Sequence, residues 1–556
     1  MTRFLLLALL IGALVSSDRP VSASDLPEHT LAFGGDVFVG RRLNYALESP
    51  EARGRIFGDL RDILRDADLA LVNSEGVVAL GGRVADKGES RPFYLRAQPG
   101  LIDVFVDAGI DVVALGNNHS GDYGPEALRE YLDRLRLAGL SYTGAGYDAD
   151  DAMLPSYHRV GDTVIALVGA DMTYTKMFRA EADNPGSLYF EATHTGQRVD
   201  EALATLRRIL AEARRHADVV LFTPHWGRNR VARPTRTIRQ FAREVIDLGY
   251  DGLLGHSSHV IHGVEVIDGK PVIYDAGNLV LDYGGDDWEH RGMLWTLTFT
   301  RAGVTAIRGV PVDVQGNRSR RAQGPVRARA LADLRERSRE MGTELTIRDG
   351  MAHLSLDPGG LRGPASRADA PLPTHPMPAA VRLAPRDTVV DALPADVTAA
   401  DVAYDNGISI IGYRRLHDEL EEPRGAQALL LYLRTDRTLD RSYRLSLRTE
   451  QRRDDGTTEV RRESHLPGDW VYPTTLWTPG EIVQDIFVYR VRQRAPGTVA
   501  FSVALHDGDE ALVPIRSSIP LIDGAYVALG SSRFSPRARP AVEYLLDHLD
   551  QRAPTR

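Results

Sequence analysis

The sequence predicts two folded units of different class, an α/β (α+β layered) unit in which strands alternate with helices and, after it, an all-β sandwich. Three observations carry this. From about residue 28 to 311, short β-rich runs alternate with amphipathic helical stretches, as in an α/β layered domain. Residues 357–385 hold seven prolines and several glycines with little apolar periodicity, the composition of an interdomain linker. From about 389 to 530 the helical pattern is gone, and short strand-like runs recur at sandwich spacing. The expected division is a leader at 1–23, the α/β unit at 28–356, the linker at 357–385, the sandwich at 386–530 and a tail at 531–556. A chain of 556 residues has room for this, since domains run to roughly 100 to 200 residues each.

In the first unit, apolar runs at 31–33, 69–72, 112–115, 219–223 and 253–254 read as buried strands. Pro125 opens a helix over 125–138, where Leu128, Tyr131, Leu132, Leu135 and Ala138 share one face. Residues 201–216 and 235–248 behave similarly. Asp268-Gly269 separates two β-rich runs between 264 and 274, a hairpin signal. A helix over 327–341 and a strand pair near 345–356 close the unit. In the sandwich, the runs 408–413, 428–433, 443–448, 483–491 and 498–505 are the expected strands.

Composition excludes some functions. A formal charge of -9 argues against a nucleic-acid surface, which needs clustered excess Lys and Arg. Only Lys87, Lys176 and Lys270 are lysines, a bias toward Arg that reflects genome composition more than function. The N-terminus carries Arg3, an apolar stretch over 4–15 and then Val21-Ser22-Ala23, the form of a cleaved secretory leader. The expected mature chain begins near Ser24 and is secreted or periplasmic. The absence of Cys removes disulfides, lipoprotein attachment and thiolate metal ligands together.

Each of the five strand-like runs is followed at once by a polar cluster: Gly34-Gly35-Asp36, Asn73-Ser74-Glu75, Gly116-Asn117-Asn118-His119, His225-Trp226-Gly227 and Gly255-His256-Ser257-Ser258-His259. In open α/β sheets, residues just past the carboxyl ends of strands converge on one crevice. The types present are those that bind catalytic divalent metals, Mn, Fe or Zn, as one or two ions. Asp36 and Glu75 would supply anionic ligands, Asn118 an amide oxygen, and His225, His256 and His259 imidazole nitrogens. His119 would be free to act as general acid toward a leaving oxygen. Arg228 and Arg230, three and five residues past His225, would clamp an anionic substrate, with Asn73 as a further substrate contact. Plainer readings stand beside these: Asp36 as a turn residue, Asn117-Asn118 as a pair chosen for left-handed backbone, and His225 as a hydrogen-bonded core residue.

These clusters, with the closing Tyr274-Asp275-Ala276-Gly277-Asn278, resemble the CapA family in content and order over about residues 28–356. That family is linked to poly-γ-glutamate capsule synthesis and export, and its fold is similar to that of calcineurin-like metallophosphoesterases, a β-sandwich core flanked by helices. The resemblance implies a metal-dependent hydrolase-type site acting on an anionic envelope polymer or a phosphoester, or else a non-catalytic factor that holds the polymer for the capsule synthesis and export machinery in the same crevice. Metallophosphoesterases carry Asp-x-His at the first motif where this chain has Asp36-Val37-Phe38, and a bridging Asp at the second where it has Asn73 and Glu75. A Glu commonly follows the family's His-Trp-Gly, whereas Arg228-Asn229-Arg230 follows here. His256-Ser257-Ser258-His259 replaces His-His-Pro-His. Further on, the stretch from Gly468 through Trp470, Tyr472 and Trp477 to Asp485 resembles a β-sandwich module appended to envelope proteins. Its aromatics read either as core or as a glycan platform.

Overall fold

The computed structural model describes residues 26–85, 87, 93–173, 178–191, 198–282, 290–358, 371–383, 388–415, 419–420, 426–468, 470–490 and 497–534. The leader, the tail beyond 534 and parts of the 357–385 linker lie outside the described residues.

The first unit is a four-layer arrangement of two sheets face to face with helices outside both. One sheet runs, edge to edge, Thr346–Arg348, Met351–Ser355, Gly303–Val314, Arg291–Thr300, His29–Phe38, Leu69–Glu75, Val112–Ala114 and Ser141–Thr143. The last four are mutually parallel, and Arg291–Thr300 lies antiparallel to His29–Phe38. The other sheet runs Val264–Ile267, Lys270–Ile273, Gly252–Leu254, Val219–His225, Thr163–Asp171 and Ser156–Val160, parallel in its middle. Alternate residues of each strand explain the layering. Leu31, Phe33, Leu69, Leu71, Ile165, Leu167, Val219 and Leu221 fill the space between the sheets. Ala32, Ala70 and Val72 face outward onto Leu101, Phe105, Leu128 and Leu132, while Val164, Val168 and Phe222 meet Leu206, Phe241 and Val245. Strands covered on both faces must be apolar throughout, which is why the sequence shows runs and not alternation.

The helices follow their sequence signals. Gly124–Leu137 starts with Pro at its first turn, and Arg236–Leu248 is capped by Thr235, whose hydroxyl accepts from Ile238 N at 3.2 Å. Asp268 (φ 48°) and Gly269 (φ 76°) form the two-residue hairpin turn, both in the left-handed region that such a turn needs.

Strands from Val389–Val390 to Tyr526–Phe534 form two sheets around a second core, antiparallel except where Glu419–Leu420 runs parallel to Tyr526–Phe534, with Leu429, Leu431 and Leu433 facing Val499, Phe501 and Val503. Tyr472 and Trp477 are buried in this core, and Trp477 Nε1 donates to Tyr472 O at 2.9 Å. Trp470 differs. It is half-buried and packs on Tyr45 of the α/β unit, ring centroids 5.2 Å apart. Arg444 lies 4.3 Å over the same Tyr45 ring, and the Tyr45 hydroxyl donates to Ser464 O at 2.8 Å. The described linker residues are anchored too: His375 Nδ1 lies 2.8 Å from Asp151 Oδ1, and Arg382 N donates to Asp133 Oδ2 at 2.8 Å.

Candidate metal centre

The carboxyl ends of five strands, those before or at Asp36, Glu75, Asn118, His225 and His256, meet in one crevice. Asp36 is brought there by a register shift. Gly34 pairs with Val72 and Asp36 with Asn73, so Gly35 is an extra residue that turns the Asp36 side chain inward. Only glycine fits at 35, because a Cβ there would lie 1.9 Å from Gly277 O. Asp36 N donates to that same carbonyl at 3.1 Å.

Asp36 is fully buried and ringed by donors: Asn73 Nδ2 at 2.7 Å on Oδ1, and on Oδ2 His259 Nδ1 at 3.1 Å and Ser257 N at 3.2 Å. His256 Nδ1 and His225 Nδ1 lie 3.8 and 4.0 Å from Oδ1. Glu75 Oε1 has three imidazole nitrogens around it at near-equal range, from His225 (3.8 Å), His259 (3.8 Å) and His119 (3.9 Å), while Oε2 is buried and has no hydrogen-bond partner among the described residues. His225 Nδ1 faces His256 Nδ1 at 2.8 Å, and its Nε2 faces Asn118 Oδ1 at 2.8 Å. Two ligand triads result, Asp36–His225–His256 and Asp36–Glu75–His259, and Asp36 belongs to both.

Burial sets the electrostatics. It pushes the Asp36 carboxyl up, but the hydrogen bond and charge of His259, backed by His225 and His256, hold it well below the usual range. Glu75 is pushed up to about 8 by burial, with Asp36 adding to the rise against His259. Burial would depress His259, yet Glu75 and Asp36 drive it up to about 10. His256 falls to about 4 by burial, and His225 lies well below its ordinary value for the same cause with the charge of His256. Five ionisable side chains buried together, one carboxylate oxygen unpartnered, cost several kcal/mol per uncompensated charge, on the order usual for buried ions. A divalent cation removes that cost, and the mixed carboxylate and imidazole donors suit a transition metal. The donor set therefore fits such an ion.

Backbone strain gathers at the same place. Ser257 has φ 114° and His259 φ 61°, positions that cost a non-glycine residue on the order of 1–3 kcal/mol each and that persist where the surroundings enforce them. The enforcement is visible: Asp275 Oδ2 accepts from Ser258 N and Oγ, both at 2.7 Å, and Asn278 Oδ1 lies 3.1 Å from His259 Nδ1.

The remaining sequence-expected residues fall as follows. His119 is buried, with Nε2 toward Glu75 and Nδ1 2.7 Å from Asp122 Oδ2. Asn73 is fully buried, and its amide is occupied within the protein: Nδ2 on Asp36, Oδ1 accepting from Asn117 Nδ2 at 3.1 Å. Asn117 and Asn118 are both outside the left-handed region; Asn117 serves as a brace, and its Oδ1 accepts from His119 N at 3.1 Å. Arg228 and Arg230 are exposed, on a loop whose Arg230 N donates to Ser258 O at 2.9 Å.

Three residues at the centre lack a place in the sequence reading. Asp122 follows His119 by three positions, a spacing that could have flagged it. Asp171 ends the strand Thr163–Asp171 directly beside His225, in the same strand-end position as the other clusters. It is fully buried, burial pushes it up to about 7, and its Oδ2 has no hydrogen-bond partner among the described residues. Lys87 reaches the centre by tertiary packing, and no local pattern announces it.

Residues 30–283 match the family profile described as "Bacterial capsule synthesis protein PGA_cap", a segment that stops short of residue 356. The chain is similar to "PGA biosynthesis protein CapA" of Bacillus subtilis (strain 168), 27% identical over 354 residues that cover 61% of this chain and 84% of the relative. It is similar to "Capsule biosynthesis protein CapA" of Bacillus anthracis, 25% identical over 53% of this chain and 70% of that one. Among solved structures, Haemophilus influenzae NAD nucleotidase aligns with TM-score 0.30 at 14% identity, covering 56% of each chain. The 5'-nucleotidase of Candida albicans aligns with TM-score 0.29 at 12% identity, over 49% of this chain and 47% of that one. With the strand-end clusters gathered at one centre, residues 30–283 match the PGA_cap family of bacterial capsule synthesis proteins, and the chain is similar to the CapA proteins.

Proposed function

We propose that the chain is an exported protein of capsule or extracellular anionic polymer biosynthesis, of the poly-γ-glutamate type, and that its crevice is a metal-dependent hydrolase-type site. The observation that carries the chemistry is the pair of ligand triads sharing Asp36. The polymer class is inferred from the relatives, whose names speak of PGA and capsule biosynthesis.

Asp36, His225 and His256 would hold one ion, and Asp36, Glu75 and His259 a second, with Asn118 adding an amide oxygen beside His225. When bound, such an ion supplies Lewis-acid polarisation of a phosphoryl or carbonyl oxygen. The protein's own groups do the rest. His119 gives a proton from Nε2 to the leaving group, and Asp122 keeps its Nδ1 engaged. Asn73 acts by holding Asp36. Arg228 and Arg230 place positive charge at exposed positions beside Ser258, where a polyanion is drawn in.

The test uses mature protein purified without chelator, measured for Mn, Fe and Zn by elemental analysis and assayed on bis(4-nitrophenyl) phosphate and on γ-linked glutamate oligomers. Metal with turnover of either substrate supports the reading. Stoichiometric metal with binding but no turnover replaces it with a polymer-holding assembly factor, and protein without metal defeats both triads. N-terminal sequencing decides export: a mature chain beginning near Ser24 is expected, and an intact Met1 in the cytoplasmic fraction would overturn it.

A further inference from the structure

Lys87 is one of three lysines in a chain with 67 Lys and Arg together. The two described lysines, Lys87 and Lys270, are both buried, and each Nζ donates to a backbone carbonyl. In a chain so biased toward arginine, lysine stands where a compact point charge is needed and a planar guanidinium would not fit.

The surroundings of Lys87 have that character. Its Nζ lies 2.5 Å from Asp122 Oδ1, donates to Phe93 O at 3.0 Å, and is 3.2 Å from His119 Nδ1. The rings of Tyr94 and Phe178 stand 5.5 and 5.7 Å away. The other Asp122 oxygen, Oδ2, accepts from Leu95 N at 2.7 Å and lies 2.7 Å from His119 Nδ1. His119 Nδ1 is closer to that carboxylate than to the ammonium, so its hydrogen points to Asp122. The ammonium donates to Phe93 O and forms an ion pair with Asp122 Oδ1.

We propose that Lys87 is a positioning residue: by engaging Asp122 Oδ1 and the Phe93 carbonyl, it leaves Asp122 Oδ2 as a fixed acceptor for His119 Nδ1–H, which sets the tautomer of His119 and aims Nε2 at the crevice. The catalytic consequence rests on His119 being the proton donor of the proposed function; the positioning itself does not. Outer residues of this kind carry about 10- to 100-fold of affinity or activity in comparable centres.

The experiment is long-range ¹H–¹⁵N spectroscopy of the full chain labelled with ¹⁵N-histidine, with the His119 signals assigned as those lost in His119→Asn. The wild type is expected to show one Nδ1-protonated pattern for His119. In Lys87→Met that ring is no longer held to one tautomer, and Lys87→Arg does not restore it. On an alkyl phosphodiester with a poor leaving group, kcat of Lys87→Met falls about 10- to 100-fold with metal content and KM unchanged, and much less on bis(4-nitrophenyl) phosphate. Should Lys87→Met fail to fold by circular dichroism, Lys87→Gln is read the same way. An unchanged His119 pattern in a folded variant of either kind overturns the proposal. A Lys87-dependent pattern in a protein that turns over no ester supports the positioning and removes the catalytic reading instead.

Discussion

Asn73 Nδ2 donates to Asp36 Oδ1 across 2.7 Å, and the Asn73 carbonyl oxygen accepts from Asn117 across 3.1 Å. Two amides thus brace the one carboxylate that both triads share. Loss of the brace frees Asp36 to rotate without removing a ligand. Asn73→Ala is expected to weaken divalent metal binding by about 10- to 100-fold while the far-ultraviolet circular dichroism stays the same. Competition against a chelator of known affinity measures this, and wild-type affinity in the variant would show that the brace is incidental.

Metal affinity should rise steeply with pH above neutrality. Glu75 and His259 are raised to about 8 and about 10, His259 mainly by the charge of Glu75, so the pair holds at least one proton at pH 7 in the metal-free protein, and a metal must displace it. The sign follows. What these two groups contribute to metal-free stability is present below their ordinary values near 4.5 and 6.5 and is lost as pH rises through 8 and 10. Metal binding strengthens over the same interval. The melting-temperature gap between loaded and metal-free protein is therefore expected to widen from pH 6 to pH 9, and calorimetry in buffers of different ionisation enthalpy should record proton release on binding. A gap that narrows with pH would refute this assignment of the protons. Ligand identity alone would place the window near 6.5, the ordinary histidine value; burial and the pairing of Glu75 with His259 move it upward.

The parts of the centre that were legible in the sequence are those tied to strand ends. Strands buried on both faces leave unbroken apolar runs, so the first polar residue after each run marks the crevice, and Asp36, Glu75, His119, His225 and His256 were found that way. Asp171 obeys the same rule after the run 164–170 and could have been found by it. Lys87 could not, because its place is set by tertiary contacts of its Nζ with Asp122, His119 and the Phe93 carbonyl. The aromatic residues after Gly468 were ambiguous for a related reason. Tyr472, Trp477 and Trp470 look alike in sequence, and only the meeting of the two units decides that the first two fill a core while the third packs on Tyr45. Neither Arg228 nor Arg230 has a position that local pattern could fix, since both are exposed on a loop.

The sandwich has its own core around Leu431, Phe501 and Trp477, so residues 386–530 are expected to fold when expressed alone, with β-type circular dichroism and a cooperative melt. In the full chain, Trp470→Ala should leave both units folded but loosen their contact. An aromatic pair such as Tyr45–Trp470 is worth about 0.5–1.5 kcal/mol, or about 2- to 10-fold in the opening equilibrium. Limited proteolysis within 357–385 should accelerate by that factor. An unfolded isolated segment, or equal cleavage rates, would count against an independent unit held by this contact.

His119 separates catalysis from metal binding, because it lies next to the triads without belonging to either. Its Nε2 is 3.9 Å from Glu75 Oε1 and its Nδ1 is taken by Asp122, which leaves one ring nitrogen free toward the crevice. Burial, with the charge of Lys87 adding to it and Asp122 opposing, holds the imidazole below its ordinary value, so the protonated ring is a stronger acid than a free histidine and gives its proton up readily. His119→Ala is expected to keep wild-type metal content and to lose turnover by about 100-fold or more on substrates with poor leaving groups. With 4-nitrophenolate, which leaves without help, the loss should be much smaller. His256→Ala should behave oppositely: metal content falls sharply, and turnover disappears for every leaving group alike. A His119→Ala protein that loses metal, or that loses activity equally on good and poor leaving groups, would move His119 from proton donor to ligand or scaffold.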